Sequence, residues 1–248
     1  MEHTRLGSTG LTVSRIVLGC MSFGDGDEAQ TWTLDSEGAE PIFRRAVELG
    51  TTSWDTPVEE TMEALHDVVK AGKVRYQGAS STWAWQFATL QTAADLGGWT
   101  RFVSMQNQYS LAQREEEREM FPLLADQGIG SIPWGPLQAG RMARSWSRQD
   151  TARAGDEPQT DPEGNPVRLD SDRSIVDAVE RIAAERGVTM AQVALAWVLR
   201  NPVVDAPIVG ATKVHHVEDA VAALDVELDD EEVAALEEHH VPRQPTFF

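Results

Sequence analysis

Six strand-like segments of this 248-residue sequence end in residues able to handle a nucleotide. Those ends are Gly19-Cys20-Met21, Asp55-Thr56, Ser80-Ser81, Gln106-Asn107, Trp134-Gly135 and Gly210-Ala211-Thr212-Lys213. Small hydroxyls and amides can hydrogen-bond a carboxamide, an indole can stack on a flat ring, and glycines admit phosphate. Lys213 stands just ahead of a helix expected to begin near His215. A helix N-terminus with a cation beside it is a phosphate site. The pairs His215-His216 and His239-His240 lack the spacing of a zinc site and read as surface or cofactor contacts, so no metal is expected. Cys20 reads as a small packing residue rather than a reactive thiol. Trp83 and Trp85 suit a substrate pocket and helix packing equally well.

These ends need a scaffold, and the hydrophobic pattern supplies alternating strands and helices. Strands are expected at 15–20, 51–55, 74–80, 102–106, 128–134 and 203–210. Helices are expected at 41–49, 56–71, 83–95, 114–126, 174–186, 190–200, 215–224 and 230–239. Thr56-Pro57-Val58-Glu59 reads as a helix start, with Thr56 as cap, Pro57 in the first turn and Glu59 completing a capping box. Residues 145–172 form an acidic loop rich in Pro, Gly, Asp and Ser. Repeated βα units predict a single α/β domain over 1–248 with a parallel, TIM-barrel-like sheet of about six strands. The dinucleotide fingerprint G-x-G-x-x-G is absent, which favours a barrel, with its function at the strand C-terminal ends, over a doubly wound sheet.

Composition narrows the class. Net charge is −19, and only three of the 21 basic residues are lysines: Lys70, Lys73 and Lys213. Nucleic-acid binding needs a basic face, and no basic cluster occurs. The acidity predicts a protein adapted to a cytoplasm of high ionic strength, where salt screens self-repulsion; a GC-rich genome also lowers lysine. No run approaches the roughly 18 apolar residues of a membrane span. The single cysteine and the N-terminal residues fit a cytoplasmic protein.

The order of motifs resembles the aldo/keto reductase family. The opening RLGSTGLTVS (5–14) and LGCMSFG (18–24) are similar to the family's start, and Trp54-Asp55-Thr56 to its motif after the second strand. GKVRYQGAS (72–80), SMQNQY (104–109), PWGPL (133–137) and PIVGATK (207–213) resemble its fifth to eighth strand signatures, collinear across nearly the whole chain. The resemblance implies an oxidoreductase moving hydride between NADP(H) and a small carbonyl or alcohol. By position, Ser80 and Gln106 would hold the nicotinamide carboxamide, Ser81 stands among the cofactor contacts where relatives commonly carry asparagine, and Trp134 would stack on the ring. Gly135, Leu137 and Gly140 would line the pyrophosphate. Thr212 and Lys213 would face the 2′-phosphate, favouring NADP over NAD, with His216 and Asp219 at the adenosine end.

The chain departs from the family at its catalytic tetrad of Asp, Tyr, Lys and His. Asp55 fills the first place, but position 60, where the tyrosine belongs, is Glu60. The third and fourth strands, which carry the lysine and histidine, have no counterpart: the second strand runs straight into a segment resembling the family's fourth helix, with a junction near 56–57. At barrel dimensions two βα units are at least ~60 residues. Asp55 alone is a poor acid, ionised at neutral pH unless strongly desolvated. Impaired chemistry is therefore expected; a non-catalytic NADP-binding protein and a poorly folding internally deleted product stand as alternatives. Six strands either close in a new way or leave two edges open, inviting homo-oligomers.

Overall fold

The computed structural model describes residues 3–8, 10–15, 17–19, 57–148 and 170–243. A short antiparallel hairpin of β1 (His3–Arg5) and β2 (Thr12–Ser14) comes first, with His3 opposite Ser14. The remaining described strands run parallel. β3 (Val17–Gly19) pairs with β7 (Ile208–Gly210), setting Gly19 opposite Gly210. β4 (Gly78–Ser80), β5 (Ser104–Gln106) and β6 (Gly130–Ser131) form a second parallel group in that order. Backbone bonds from Asp205 N to Ser131 O (2.9 Å) and from Ile208 N to Pro133 O (2.8 Å) join β6 to the approach of β7. The neighbour order is thus β4-β5-β6-β7-β3.

Helices cover these strands: α1 (Val58–Lys70), α2 (Ala84–Gly97), α3 (Met120–Gln127), α4 (Ser171–Arg186), α5 (Met190–Arg200), α6 (Val214–Ala222) and α7 (Asp230–Glu237). Two begin with reciprocal caps. In α5 the Gln192 amide N–H donates to Thr189 Oγ1 and the Gln192 side chain accepts from Thr189 N. In α7 Asp229 and Glu232 do the same. Phe87 and Leu90 of α2, Leu124 of α3, Ile175, Val179 and Ile182 of α4, and Val193 and Trp197 of α5 bury one core with Phe102, Met105 and Tyr109.

The hairpin closes the end of the sheet away from the strand C-termini. Asp205 Oδ2 accepts from Gly7 N (3.1 Å) and Ser131 N (3.2 Å), and Ser8 N donates to Gly128 O (2.7 Å). Arg15 Nη1 donates to the carbonyls of Val204 and Asp205. Burial raises the Asp205 carboxyl above its ordinary pKa, and those two N–H donors pull it back. Gly7 has φ +53, and a Cβ there would sit 2.6 Å from Gly128 O and against Gly130 N. Gly7→Ala is expected to destabilise the protein by about 1–3 kcal/mol, through the left-handed backbone and the collision. Urea unfolding checks it, and an unchanged midpoint would contradict the docking.

Several expected elements shift. The helix at 114–126 is instead a 3₁₀ turn, Glu115–Glu117, followed by α3. Pro122 has no N–H to continue a helix from the preceding turn, but it is tolerated in the first turn of a new one. α1 begins at Val58, with Pro57 at the cap position in an extended conformation (ψ 136°) and without a side-chain cap bond; Thr56 lies outside the described residues. Only the last residues of most predicted strands join a ladder, because the preceding residues bridge from helix to sheet. Within 145–172, Trp146–Arg148 is a 3₁₀ turn and α4 starts at Ser171; 149–169 lie outside the described residues. The expected helix 41–49 and strand 51–55 also lie outside them, so five of the six predicted parallel strands are described.

Candidate functional site at the strand C-terminal ends

β4 and β5 end in register, with Ser80 opposite Gln106. Ser80 Oγ donates to Gln106 O (2.9 Å), and Ser81 N donates to the same carbonyl (3.1 Å). That double hold turns Ser81 into the left-handed region, φ +48, a conformation that costs a non-glycine residue about 1–2 kcal/mol. Strain of this kind gathers at functional sites. Its consequence here is specific: the Trp134 indole Nε1 donates to Ser81 Oγ (3.1 Å). Trp134 is also fixed through its backbone, N to Asn107 O (2.8 Å) and O from Tyr109 N (3.2 Å). Ser80, Ser81, Gln106 and Trp134 therefore form one half-buried constellation, held by backbone and side chain alike. The Gln106 side-chain amide makes no hydrogen bond with the described residues.

Beyond Trp134 the chain makes a strained turn. Gln138 (φ +49), Ala139 (φ +55) and Gly140 (φ +86) are consecutive left-handed residues. Gln138 is buried and its Oε1 accepts from Ser110 Oγ (2.8 Å), which anchors the turn to the segment after β5. Leu137 packs against the core, and a Cβ on Gly140 would lie 3.0 Å from Arg144 Nη2.

A third group sits at the start of α6. Thr212 and Lys213 are exposed, with Lys213 at the cap position. Thr212 N donates to His216 Nδ1 (3.3 Å), and the His215 and His216 rings meet edge to face at 4.5 Å. Partial burial, then the charges of His215 and Lys213, hold the His216 imidazole below its ordinary pKa; Arg144 adds in the same sense and Asp219 opposes. Asp219 Oδ1 accepts from Gln192 Nε2 (3.4 Å).

The proposed site residues thus fall into the Ser80–Ser81–Gln106–Trp134 constellation, the Gly135–Gly140 turn, and the Thr212–Asp219 group, with Gly19 and Gly210 side by side in the sheet. Asp55 and Cys20 lie outside the described residues. Residue types at strand ends did not single out the buried polar residues Ser110, Glu116 and Gln138, whereas Asn107, also buried, belongs to the Gln106-Asn107 strand end. Burial pushes the Glu116 carboxyl up to about 7; the Asn107 amide beside it lowers it, and the charge of Glu115 raises it.

Neither tyrosine stands at the strand ends. Tyr109 is buried and donates to Glu117 Oε1 (2.6 Å), while Asn201 Nδ2 donates to its hydroxyl (3.1 Å). Burial and the Glu117 bond hold that phenol well above the usual tyrosine pKa. Tyr76 precedes β4, at the opposite end of the strand. Glu60 is exposed in the first turn of α1, and Lys70 in its last. Among the described residues no three His, Cys, Asp or Glu side chains gather as a metal site, and no single helix is long and apolar enough to cross a membrane.

Residues 54–241 match the model of the aldo/keto reductase family. The versiconal hemiacetal acetate reductase of Aspergillus parasiticus is 32% identical over 338 residues, covering 98% of both chains, so that relative carries residues with no counterpart here. An aldo-keto reductase of Fusarium vanettenii is 48% identical over 189 residues, 75% of this chain and 50% of its own length. One from Alternaria alternata is 45% identical over 183 residues, 74% and 49% respectively. The chain thus spans about half the length of these last two relatives.

Proposed function

This chain belongs to the aldo/keto reductase family, and from that premise we propose that it binds NADP(H) at the strand ends while reducing carbonyls poorly or not at all. The family implies an α/β barrel-like fold and a nicotinamide cofactor. The observation that carries the reading is the Ser81–Trp134 bond beside Ser80 and Gln106. It fixes an indole face next to an amide offering both a donor and an acceptor, the donor set a nicotinamide carboxamide requires. Lys213 at the start of α6 supports NADP over NAD, because only NADP carries a 2′-phosphate.

When bound, NADPH supplies the hydride; the protein must hold the nicotinamide and protonate the oxygen. The described residues serve the first task. For the second, Glu60 replaces the family's tyrosine, Tyr109 is committed to Glu117, and Tyr76 is at the wrong end of its strand. A missing positioned acid lowers the rate about 10²- to 10⁴-fold. Loss of the two βα units that carry the lysine and histidine removes further stabilisation of the oxygen. The substrate in this reading is a small carbonyl or alcohol, and the setting cytoplasmic. Among the described residues β4 pairs only with β5, and its outer edge would suit pairing with a second copy of the chain.

The test is titration of the protein with NADPH, followed by nicotinamide fluorescence and tryptophan quenching. Saturable binding is expected, tighter than that of NADH. Ser81→Ala is expected to weaken NADPH binding about 5- to 10-fold, since it removes a hydrogen bond worth about 1 kcal/mol that orients Trp134. Absence of saturable binding by the wild-type chain would overturn the proposal.

A further inference from the structure

We propose that Asn107 is a positioning residue for the nicotinamide: paired with the acid form of Glu116, its side chain fixes the strand end that carries Gln106 and holds Trp134. This rests on the NADP(H) reading above. Asn107 directly follows β5, and its carbonyl accepts from Trp134 N (2.8 Å). That bond is the middle of three between the two strand ends, after Ile132 N to Met105 O (2.9 Å) and before Tyr109 N to Trp134 O (3.2 Å). The Met105, Asn107 and Tyr109 side chains are all buried. Met105 and Tyr109 belong to the hydrophobic core, so the amide between them in sequence is out of place by polarity. Ser110 and Gln113 close the turn that follows with two backbone bonds (3.0 and 3.1 Å), and the 3₁₀ turn Glu115–Glu117 comes next.

A buried amide left unpaired costs about 1–3 kcal/mol. Among the described residues neither Asn107 Nδ2 nor Oδ1 has a partner in hydrogen-bond geometry, and the group beside it is the buried Glu116 carboxyl. A protonated acid can serve both atoms with a small approach: its O–H donates to Oδ1 and its carbonyl oxygen accepts from Nδ2. A carboxylate can only accept, which leaves Oδ1 unserved. Burial, the largest cause, keeps Glu116 protonated up to about pH 7; Asn107 opposes, and the charge of Glu115 on the same turn adds. Glu117, next along, is taken up by Arg114 and Tyr109. The turn leads into α3, whose first five residues carry no ionisable side chain, and from β5 the neutral Asn107 faces it. Ionisation of Glu116 therefore loosens the strand end that holds Trp134. Affinity for a nicotinamide nucleotide falls as pH rises through about 7.

The experiment uses the full chain and its Glu116→Gln and Asn107→Leu variants. Each is titrated at pH 6 and pH 8 with NADPH and with 2′-phospho-ADP-ribose, which lacks the nicotinamide. Between those pH values the wild type is expected to lose about 5-fold more affinity for NADPH than Glu116→Gln does, the worth of one hydrogen bond. Titration of the 2′-phosphate and of His216 is common to both proteins, so the difference between them is the reading. Asn107→Leu is expected to weaken NADPH about 5-fold at pH 6 while binding 2′-phospho-ADP-ribose as the wild type does. A general loosening of the fold would weaken both ligands alike. If the leucine variant fails to fold, the near-isosteric Glu116→Gln still gives the pH reading. Parallel pH profiles in wild type and Glu116→Gln, or equal losses for the two ligands in Asn107→Leu, would overturn the positioning role and leave the NADP(H) reading intact. Failure of the wild-type chain to bind NADPH at either pH would overturn both.

Discussion

Replacing Arg243 with methionine is expected to destabilise the protein by about 3–5 kcal/mol. Arg243 forks onto Asp172 in the first turn of α4: Nη1 donates to Oδ2 (3.2 Å) and Nη2 to Oδ1. The two side chains are only 6% and 1% exposed, so neither charge has water to fall back on. Arg243 N also donates to Glu115 Oε1 (2.9 Å), tying the segment after α7 to the turn that follows β5. Removing the guanidinium takes away the bidentate charge partner of a buried carboxylate, which is where most of the loss arises. Changing Asp172→Asn together with Arg243→Met removes both charges and is expected to restore much of the stability. For a chain of this size the single variant should melt roughly 6–20 °C lower. A single variant within 1 kcal/mol of the wild type in denaturant titration would show that this bridge is not needed to hold the C-terminal segment.

Glu116→Gln is expected to act in the opposite direction, and only at high pH. The folded protein holds the Glu116 proton up to about pH 7, against an ordinary value of 4.5. A raised carboxyl pKa means the folded state binds a proton that the unfolded chain has already released. That contribution is fully present below 4.5 and is lost as pH climbs through about 7. Above that point the wild type carries a buried negative charge beside Asn107. Two and a half pKa units correspond to about 3 kcal/mol. Glutamine keeps the shape of the protonated acid and has no proton to lose, so a gain of about 2 kcal/mol is expected at pH 8 and none at pH 4. Unfolding curves at the two pH values check both the size and the sign. A gain that is equal at pH 4 and pH 8 would place its origin in packing rather than in the buried charge.

The sequence shows much of the candidate site and less of its scaffold. Ser80, Gln106 and Trp134 were legible because strand ends carry distinctive residue types and the motifs occur in family order. Glu60, at the position where the family resemblance expects a tyrosine, needs only counting from Asp55 in the sequence. The hairpin β1–β2 was not legible, since three-residue strands give too short an alternation to register. The split of 114–126 was missed because a charged, helix-favouring run masks a proline whose effect depends on where the helix restarts. The Ser81–Trp134 bond, the strained turn at Gln138–Gly140 and the approach of Arg144 to α6 join residues far apart in the chain, and no local pattern encodes them. Asp205, read only as part of a strand, turns out to pin the hairpin through a long-range bond to Gly7.

We propose a nicotinamide held here without an acid positioned to complete carbonyl reduction. A single-turnover mix of the protein, in excess over NADPH, with a substituted benzaldehyde tests it most directly. Immediate quenching is expected as NADPH binds, followed by a 340-nm absorbance that stays flat for minutes. Decay of that absorbance within seconds, with alcohol formed in equal amount, would contradict it and require a proton donor that Glu60, Tyr76 and Tyr109 do not provide.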